Sequence, residues 1–236
     1  MNRPLRLLGL IGGISWESTT HYYQLLNRIA RARLGGQHSA PLILWSVDFA
    51  PVAEKQEAGR WAELTAEMID AARRLEDAGA EALLICANTM HLMADEVAAA
   101  ISIPLIHIVD AAAAALKAAN VRRPILFATR FTMEQPFWRE RMARQGVEAM
   151  APEAADRALL HAIIFEELVR GVFRDEARAA LHEIAAREQA GRGIDGVILG
   201  CTEFGMLTPP ETYTLPAFDT ALLHAEAAMD FALAGV

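Results

Sequence analysis

The sequence predicts an α/β fold of two similar, doubly wound lobes with parallel sheets, and three observations carry that expectation. Short apolar runs of strand length alternate with longer amphipathic segments along all 236 residues. That alternation suits parallel strands, because each crossover must be long enough to carry a helix back over the sheet. Two of the apolar runs also close on similar stretches, "EALLICANTMH" ending at His91 and "DGVILGCTEFG" ending at Gly205. Finally, Ala87 follows Gly12 by 75 residues and Cys201 follows Thr129 by 72, so the second half repeats the plan of the first. The expected organisation is an N-terminal lobe over 1–113, a second lobe over 114–219, and a helix over 220–236 that returns to the first lobe.

Taken in order, the strand candidates are Leu5–Leu10, Pro41–Asp48, Ala82–Cys86, Leu105–Ile108, Ile125–Ala128, Gly146–Met150 and Gly196–Gly200. The amphipathic segments between them predict helices over Ser18–Arg33, Trp61–Asp77, Met93–Ala100, Ala111–Ala119, Gln135–Gln145, Ala155–Arg170, Asp175–Gln189 and Thr220–Ala234. Ser15 or Ser18 can cap the first helix, and Asp110 and Asp219 are expected as N-caps of theirs. "YTLPAFD" reads as a last strand-like run leading the chain back.

Bulk composition narrows the function. The chain is 53% hydrophobic and 22% charged, with a net charge of −8, and has no uninterrupted apolar stretch long enough to span a bilayer. No basic field favours nucleic acid or anionic lipid, so neither nucleic acid nor membrane is an expected partner. Two cysteines, Cys86 and Cys201, and no secretory signal point to reduced thiols in the cytoplasm rather than a disulfide framework. His91, His107, His161, His182 and His224 are scattered without metal-ligand spacing, so no metal site is expected.

In open parallel sheets the ligand sits beyond the carboxyl ends of the strands, so the loops "GGIS", "ANT", "ATR" and "CTE" are the places for chemistry. Gly12 and Gly13 let backbone amides approach an anion, but the spacing is neither a dinucleotide fingerprint nor a phosphate loop. Asn88, Thr89 and Thr202 offer hydroxyl and amide groups that can grip a carboxylate. Cys201 can supply a thiolate, or can be a buried and inert small hydrophobe. Cys86 suits the inert role better, because strand side chains alternate and it faces away from whatever Ala87 faces. Asp48, Phe49 and Gln56 follow the second strand to the same sheet edge, and His91 follows "ANTM" toward it. There is no G-x-S-x-G turn, which argues against a hydrolase.

Read together, "GLIGGISWESTTHYY", "SVDF", "ANTMH", "TRFTMEQ", "IIFEEL", "GCTE" and "LPAFDTALLHAE" resemble the cofactor-independent aspartate/glutamate racemase family over nearly the whole chain, and most of all its bacterial L-aspartate/glutamate branch. The resemblance implies two lobes related by a pseudo-twofold, an active site in the cleft between them, a homodimer, a dicarboxylic amino acid as substrate, and no cofactor. It makes Cys201 one acid/base, Asn88, Thr89 and Thr202 carboxylate ligands, Gln56 and Thr129 substrate-lining residues, and Ile14 and Ser15 the completion of the pocket.

One position departs from that pattern. The family places a second cysteine, or in the nearest branch a threonine, where this chain has Ala87, and alanine has no proton to give. Three explanations stay open. A neighbouring hydroxyl or water serves as second acid; the site runs one-thiol chemistry, such as decarboxylation or one-sided proton exchange; or the alanine was introduced to trap a ligand. A binding protein that holds dicarboxylic amino acids without turnover is the alternative of a different class.

Overall fold

The computed structural model describes residues 5–234; residues 1 and 236, the outer limits of the expected lobe and terminal helix, lie outside them. It contains two three-stranded sheets, both wholly parallel. The first has β1 (Leu8–Gly12) between β2 (Leu42–Ser46) and β3 (Ala82–Ile85). The second has β5 (Gly196–Leu199) between β4 (Pro124–Phe127) and β6 (Ala217–Asp219). Strands β1, β3, β4 and β5 are buried along their whole length, which is why each reads as an unbroken apolar run.

Two expected strands are absent as strands. Leu105–Ile108 reduces to one parallel bridge, Leu83 to Leu105, and Gly146–Met150 to one bridge, Ile125 to Met150. Pro104, which has no N–H, precedes the first bridge, and Ile108 already belongs to the next helix. With these bridges counted as edges, the two sheets have the same order. Each is a row of four positions in which the bridge occupies one end, beside β3 in the first and beside β4 in the second.

The helices are α1 (Trp16–Leu34), α2 (Phe49–Glu57), α3 (Trp61–Asp77), α4 (Ala94–Ala99), α5 (Ile108–Ala118), α6 (Arg130–Glu134), α7 (Pro136–Arg144), α8 (Ala154–Ala162), α9 (Asp175–Arg192), α10 (Thr202–Leu207) and α11 (Thr220–Leu233). In α3 the buried residues Leu64, Met68, Ala71, Ala72 and Leu75 recur at helical spacing. The short helices α2, α6 and α10 were not expected. The first two are marked by their caps: Asp48 accepts from Ala50 N at 3.3 Å, and Thr129 accepts from Thr132 N at 3.3 Å. The single helix expected over Ala155–Arg170 is regular only as far as Ala162. It continues as a π turn over Ile163–Glu167 and a 3-10 turn over Leu168–Arg170, and stops at Gly171 with φ 73°.

By its contacts the chain forms two compact units, residues up to His107 with those from His224, and Ile108–Leu223. Residue 113 lies inside α5 and residue 219 closes β6, so contact grouping keeps α5 whole. Each unit has its own apolar core. That of the first includes Ile11, Leu64, Met68, Leu83 and Ile85, and that of the second includes Leu126, Phe127, Trp138, Ile198 and Phe204.

Candidate active site

In the first unit β1 and β3 lie side by side with Ile11 opposite Ile85, so the loops 13–15 and 86–88 leave the sheet together. Gly13 has φ 86°, and a Cβ there would lie 2.2 Å from the Val47 carbonyl oxygen, so only glycine fits. Ser15 caps α1 by accepting from Ser18 N at 3.3 Å, and the Ser18 hydroxyl donates to the Cys86 carbonyl at 3.0 Å. Those two bonds tie the "GGIS" loop to the "CANT" loop. Ile14, Ser15, Ala87, Asn88 and Thr89 are all buried. From α2, buried Gln56 donates its amide to the Met90 sulfur at 3.3 Å, which brings it to the same edge. Cys86 is fully buried, and desolvation alone raises its thiol pKa far above the ordinary range.

Behind Ala87 lies a buried histidine cluster. His91 Nδ1 donates to the Ala87 carbonyl at 2.9 Å, and its ring stands 4.7 Å from that of His107 and 5.6 Å from that of His224. His224 Nε2 donates to the Ile106 carbonyl at 2.7 Å, which leaves Nδ1 to accept from the Tyr22 hydroxyl at 2.9 Å. Burial holds the His224 pKa down at about 4, so this ring is neutral near pH 7. Among the described residues no group of three or more His, Cys, Asp or Glu is placed to hold a metal ion, and no helix is long and apolar enough to cross a membrane.

In the second unit β4 and β5 are neighbours, with Phe127 opposite Leu199, so Thr129 and Cys201 emerge from adjacent strands. Cys201 is the residue before α10, and its Sγ donates to Glu203 Oε2 at 3.0 Å, with the two residues 8% and 4% exposed. The thiol is held well above its ordinary pKa, first by burial and then by the charge and hydrogen bond of Glu203. The backbone amides of Glu203 and Phe204 pull the other way and are outweighed. The sequence suggested a thiolate eased by amides at a helix start; the structure holds a thiol with a carboxylate beside it. Glu203 was not among the residues singled out from the sequence, although "GCTE" contains it.

The two expected aspartate caps part company. Asp219 accepts from Ala221 N at 2.9 Å and Leu222 N at 3.3 Å and caps α11, and burial raises its pKa to about 6. Its other oxygen lies against Gly205, where a Cβ would come within 2.3 Å. Asp110 caps nothing. It sits in the first turn of α5 and takes two bonds from Arg141, at 2.8 and 2.7 Å, and one from Gln145 at 2.6 Å.

With Cys201 and Glu203 at one strand end and the Ala87–Thr89 loop at another, comparison with known proteins is decisive. The family model for Asp/Glu/hydantoin racemases matches residues 11–228. The chain belongs to this family. It is therefore an enzyme of the isomerase class, in a family of racemases that work without pyridoxal phosphate. A solved structure from Yersinia pestis, assigned as an Asp/Glu racemase, is 42% identical over 97% of this chain and 100% of its own, with a TM-score of 0.88. An aspartate racemase homologue from Pyrococcus horikoshii OT3 is 31% identical over 97% and 99%, with a TM-score of 0.85. The aspartate racemase of Picrophilus torridus is 17% identical over 98% and 100%, with a TM-score of 0.72, and shares the fold.

Proposed function

We propose that this racemase interconverts the enantiomers of an acidic amino acid, aspartate or glutamate, and that Cys201 carries the proton to and from one face of the α-carbon. The observation that supports this reading is the 3.0 Å hydrogen bond from Cys201 Sγ to Glu203. A buried thiol is a poor base until it loses its proton, and Glu203 is placed to take it. The thiolate then removes the α-proton, and the electron pair of that C–H bond passes into the enolate of the α-carboxylate. In this reading Asn88, Thr89 and Thr202 grip that carboxylate as its charge grows, and Gln56, Thr129, Ile14 and Ser15 line the substrate. Inversion requires a proton on the opposite face, and Ala87 cannot give one. In this reading a neighbouring hydroxyl or a water supplies it. A homodimer in the reducing cytoplasm, with no cofactor, completes the reading.

Ala87 favours a second reading, in which one thiol performs one-sided exchange or decarboxylation. Incubation with L-aspartate or L-glutamate in deuterium oxide separates the two. Racemisation is expected to yield deuterated D-product. Deuterium with retention of configuration supports the one-sided reading, and no deuterium uptake identifies a binding protein. Cys201→Ser is expected to slow exchange by orders of magnitude with the fold intact. Ala87→Cys is expected to raise the inversion rate much more than it changes affinity, because it restores an interaction made in the transition state.

A further inference from the structure

Two donors from different elements hold successive carbonyls of the loop that leaves β3. The Ser18 hydroxyl, from α1, donates to the Cys86 carbonyl at 3.0 Å, and His91 Nδ1 donates to the Ala87 carbonyl at 2.9 Å. A trans peptide is planar, so holding its carbonyl also sets the direction of the N–H that follows. The peptides on both sides of Ala87 are thereby fixed, and with them the entry to Asn88 and Thr89. His91 reaches back from the 3-10 turn Thr89–Met93 that this loop opens, and its own backbone N–H donates to the Asn88 carbonyl at 3.1 Å.

The ring is held in turn. His107 and His224 stand 4.7 and 5.6 Å from it, and all three histidines are buried. His224 is fixed at both nitrogens, by the Ile106 carbonyl and the Tyr22 hydroxyl. Burying an imidazole costs free energy that a leucine or phenylalanine in the same space would not, unless its N–H finds an acceptor. Here the acceptor is the Ala87 carbonyl. The turn is already closed by the His91 backbone N–H, so the side-chain bond serves the orientation of the loop rather than the formation of the turn. Groups that meet a substrate must be held to within about 0.5 Å, and locked neighbours of this kind supply that.

We propose that His91 is a positioning residue of the site: through the Ala87 carbonyl it fixes the peptide joining Ala87 to Asn88, and so the orientation of the Ala87–Thr89 loop toward the substrate α-carboxylate. The proposal rests on the racemase reading above, and its test separates the donor of His91 from its bulk. His91→Phe keeps a ring beside His107 and His224 but has no donor. His91→Asn gives up the ring but can donate an amide N–H from near the Nδ1 position. α-Deuterium exchange of L-aspartate is followed in both, together with the backbone amide signal of Asn88. The pair Ala–Asn occurs twice in the chain, at 87–88 and 119–120, so isotope labels on alanine carbonyls and asparagine nitrogens give one signal each for Asn88 and Asn120. His91→Phe is expected to lower the kcat of exchange by about 10- to 100-fold with KM within about threefold, and to move Asn88 but not Asn120. His91→Asn is expected to recover most of that rate and the Asn88 position. The reverse order, equal losses, or an unchanged rate in His91→Phe overturns the role of His91 and leaves the racemase reading standing. If His91→Phe shows no cooperative urea transition, His91→Asn decides alone, and loss of exchange there overturns the role. An Asn88 signal that responds to L-aspartate and to His91→Phe in a protein without exchange overturns the racemase reading and leaves the positioning role. Neither response nor exchange overturns both.

Discussion

Cys201 Sγ donates to Glu203 Oε2 across 3.0 Å, and that contact bears on how the thiol behaves. Burial and the neighbouring carboxylate both favour the protonated form, so thiolate is scarce at rest, and in the proposed mechanism Glu203 takes the proton. Replacing Glu203 with Gln removes the negative charge and the acceptor together. The thiol of Glu203→Gln is expected to titrate at lower pH than that of the unaltered protein, followed by thiolate absorbance in the ultraviolet. Its α-deuterium exchange is nevertheless expected to fall by about 100-fold, because an easily ionised thiol without a base in contact has lost its proton acceptor. A thiol titration that stays in place would show that Glu203 acts on Cys201 only through packing. Cys86 offers the contrast: it is wholly shut away from solvent, and burial alone raises its thiol pKa.

At the scale of the element, α11 carries two buried groups whose protonation opposes. Asp219, its cap, has a pKa raised to about 6, so between about pH 4 and 6 the folded state holds a proton that the unfolded chain has released. Stability from this group is present at low pH and is lost as pH rises through that window. His224, one turn further on, has a pKa lowered to about 4, so between about pH 4 and 6.5 the unfolded chain holds the proton and the folded state does not. Stability from this group is present above pH 6.5 and is lost as pH falls. Each shift is worth about 3 kcal/mol, and the two nearly cancel across the shared window. Asp219→Asn keeps a capping oxygen but removes one titration. Urea midpoints between pH 4 and 6.5 are expected to fall steeply on acidification in that variant, to rise on acidification in His224→Gln, and to stay nearly level in the unaltered protein. Parallel curves for all three would contradict the opposed assignment.

For the whole molecule, the second unit is one continuous stretch, Ile108–Leu223, whereas the first needs residues from His224 onward. Those residues supply buried Ala225, Ala228, Met229 and Ala232, the His224 bonds to Tyr22 and Ile106, and the Ala232 carbonyl that accepts from Arg6 N at 3.1 Å. A fragment spanning 108–223 is therefore expected to unfold cooperatively in urea by itself. A fragment ending at 107 is expected to lack a cooperative transition until the last segment is joined to it. Two fragments with equal cooperativity would show that α11 adds little to the first core.

The sequence by itself determined what local pattern and composition can determine. Strands buried on both faces had to be unbroken apolar runs, so β1, β3, β4 and β5 were readable within a few residues, and so was α3 from its period. The repeat of Gly12 to Ala87 in Thr129 to Cys201 announced two like halves, and the stretches around Cys201 and Ala87 announced a racemase. Only the tertiary structure decided whether a run becomes a strand. Leu105 and Met150 lie in apolar runs like the others, yet each pairs through a single bridge, because strand formation depends on how many neighbouring residues a distant segment presents. Tertiary structure also decided protonation and grip. Asp110 was diverted from capping by Arg141, 31 residues away. Glu203 became the thiol's partner only because both were buried together. Desolvation and long-range packing set these properties, and neither is written in the order of residues along a strand.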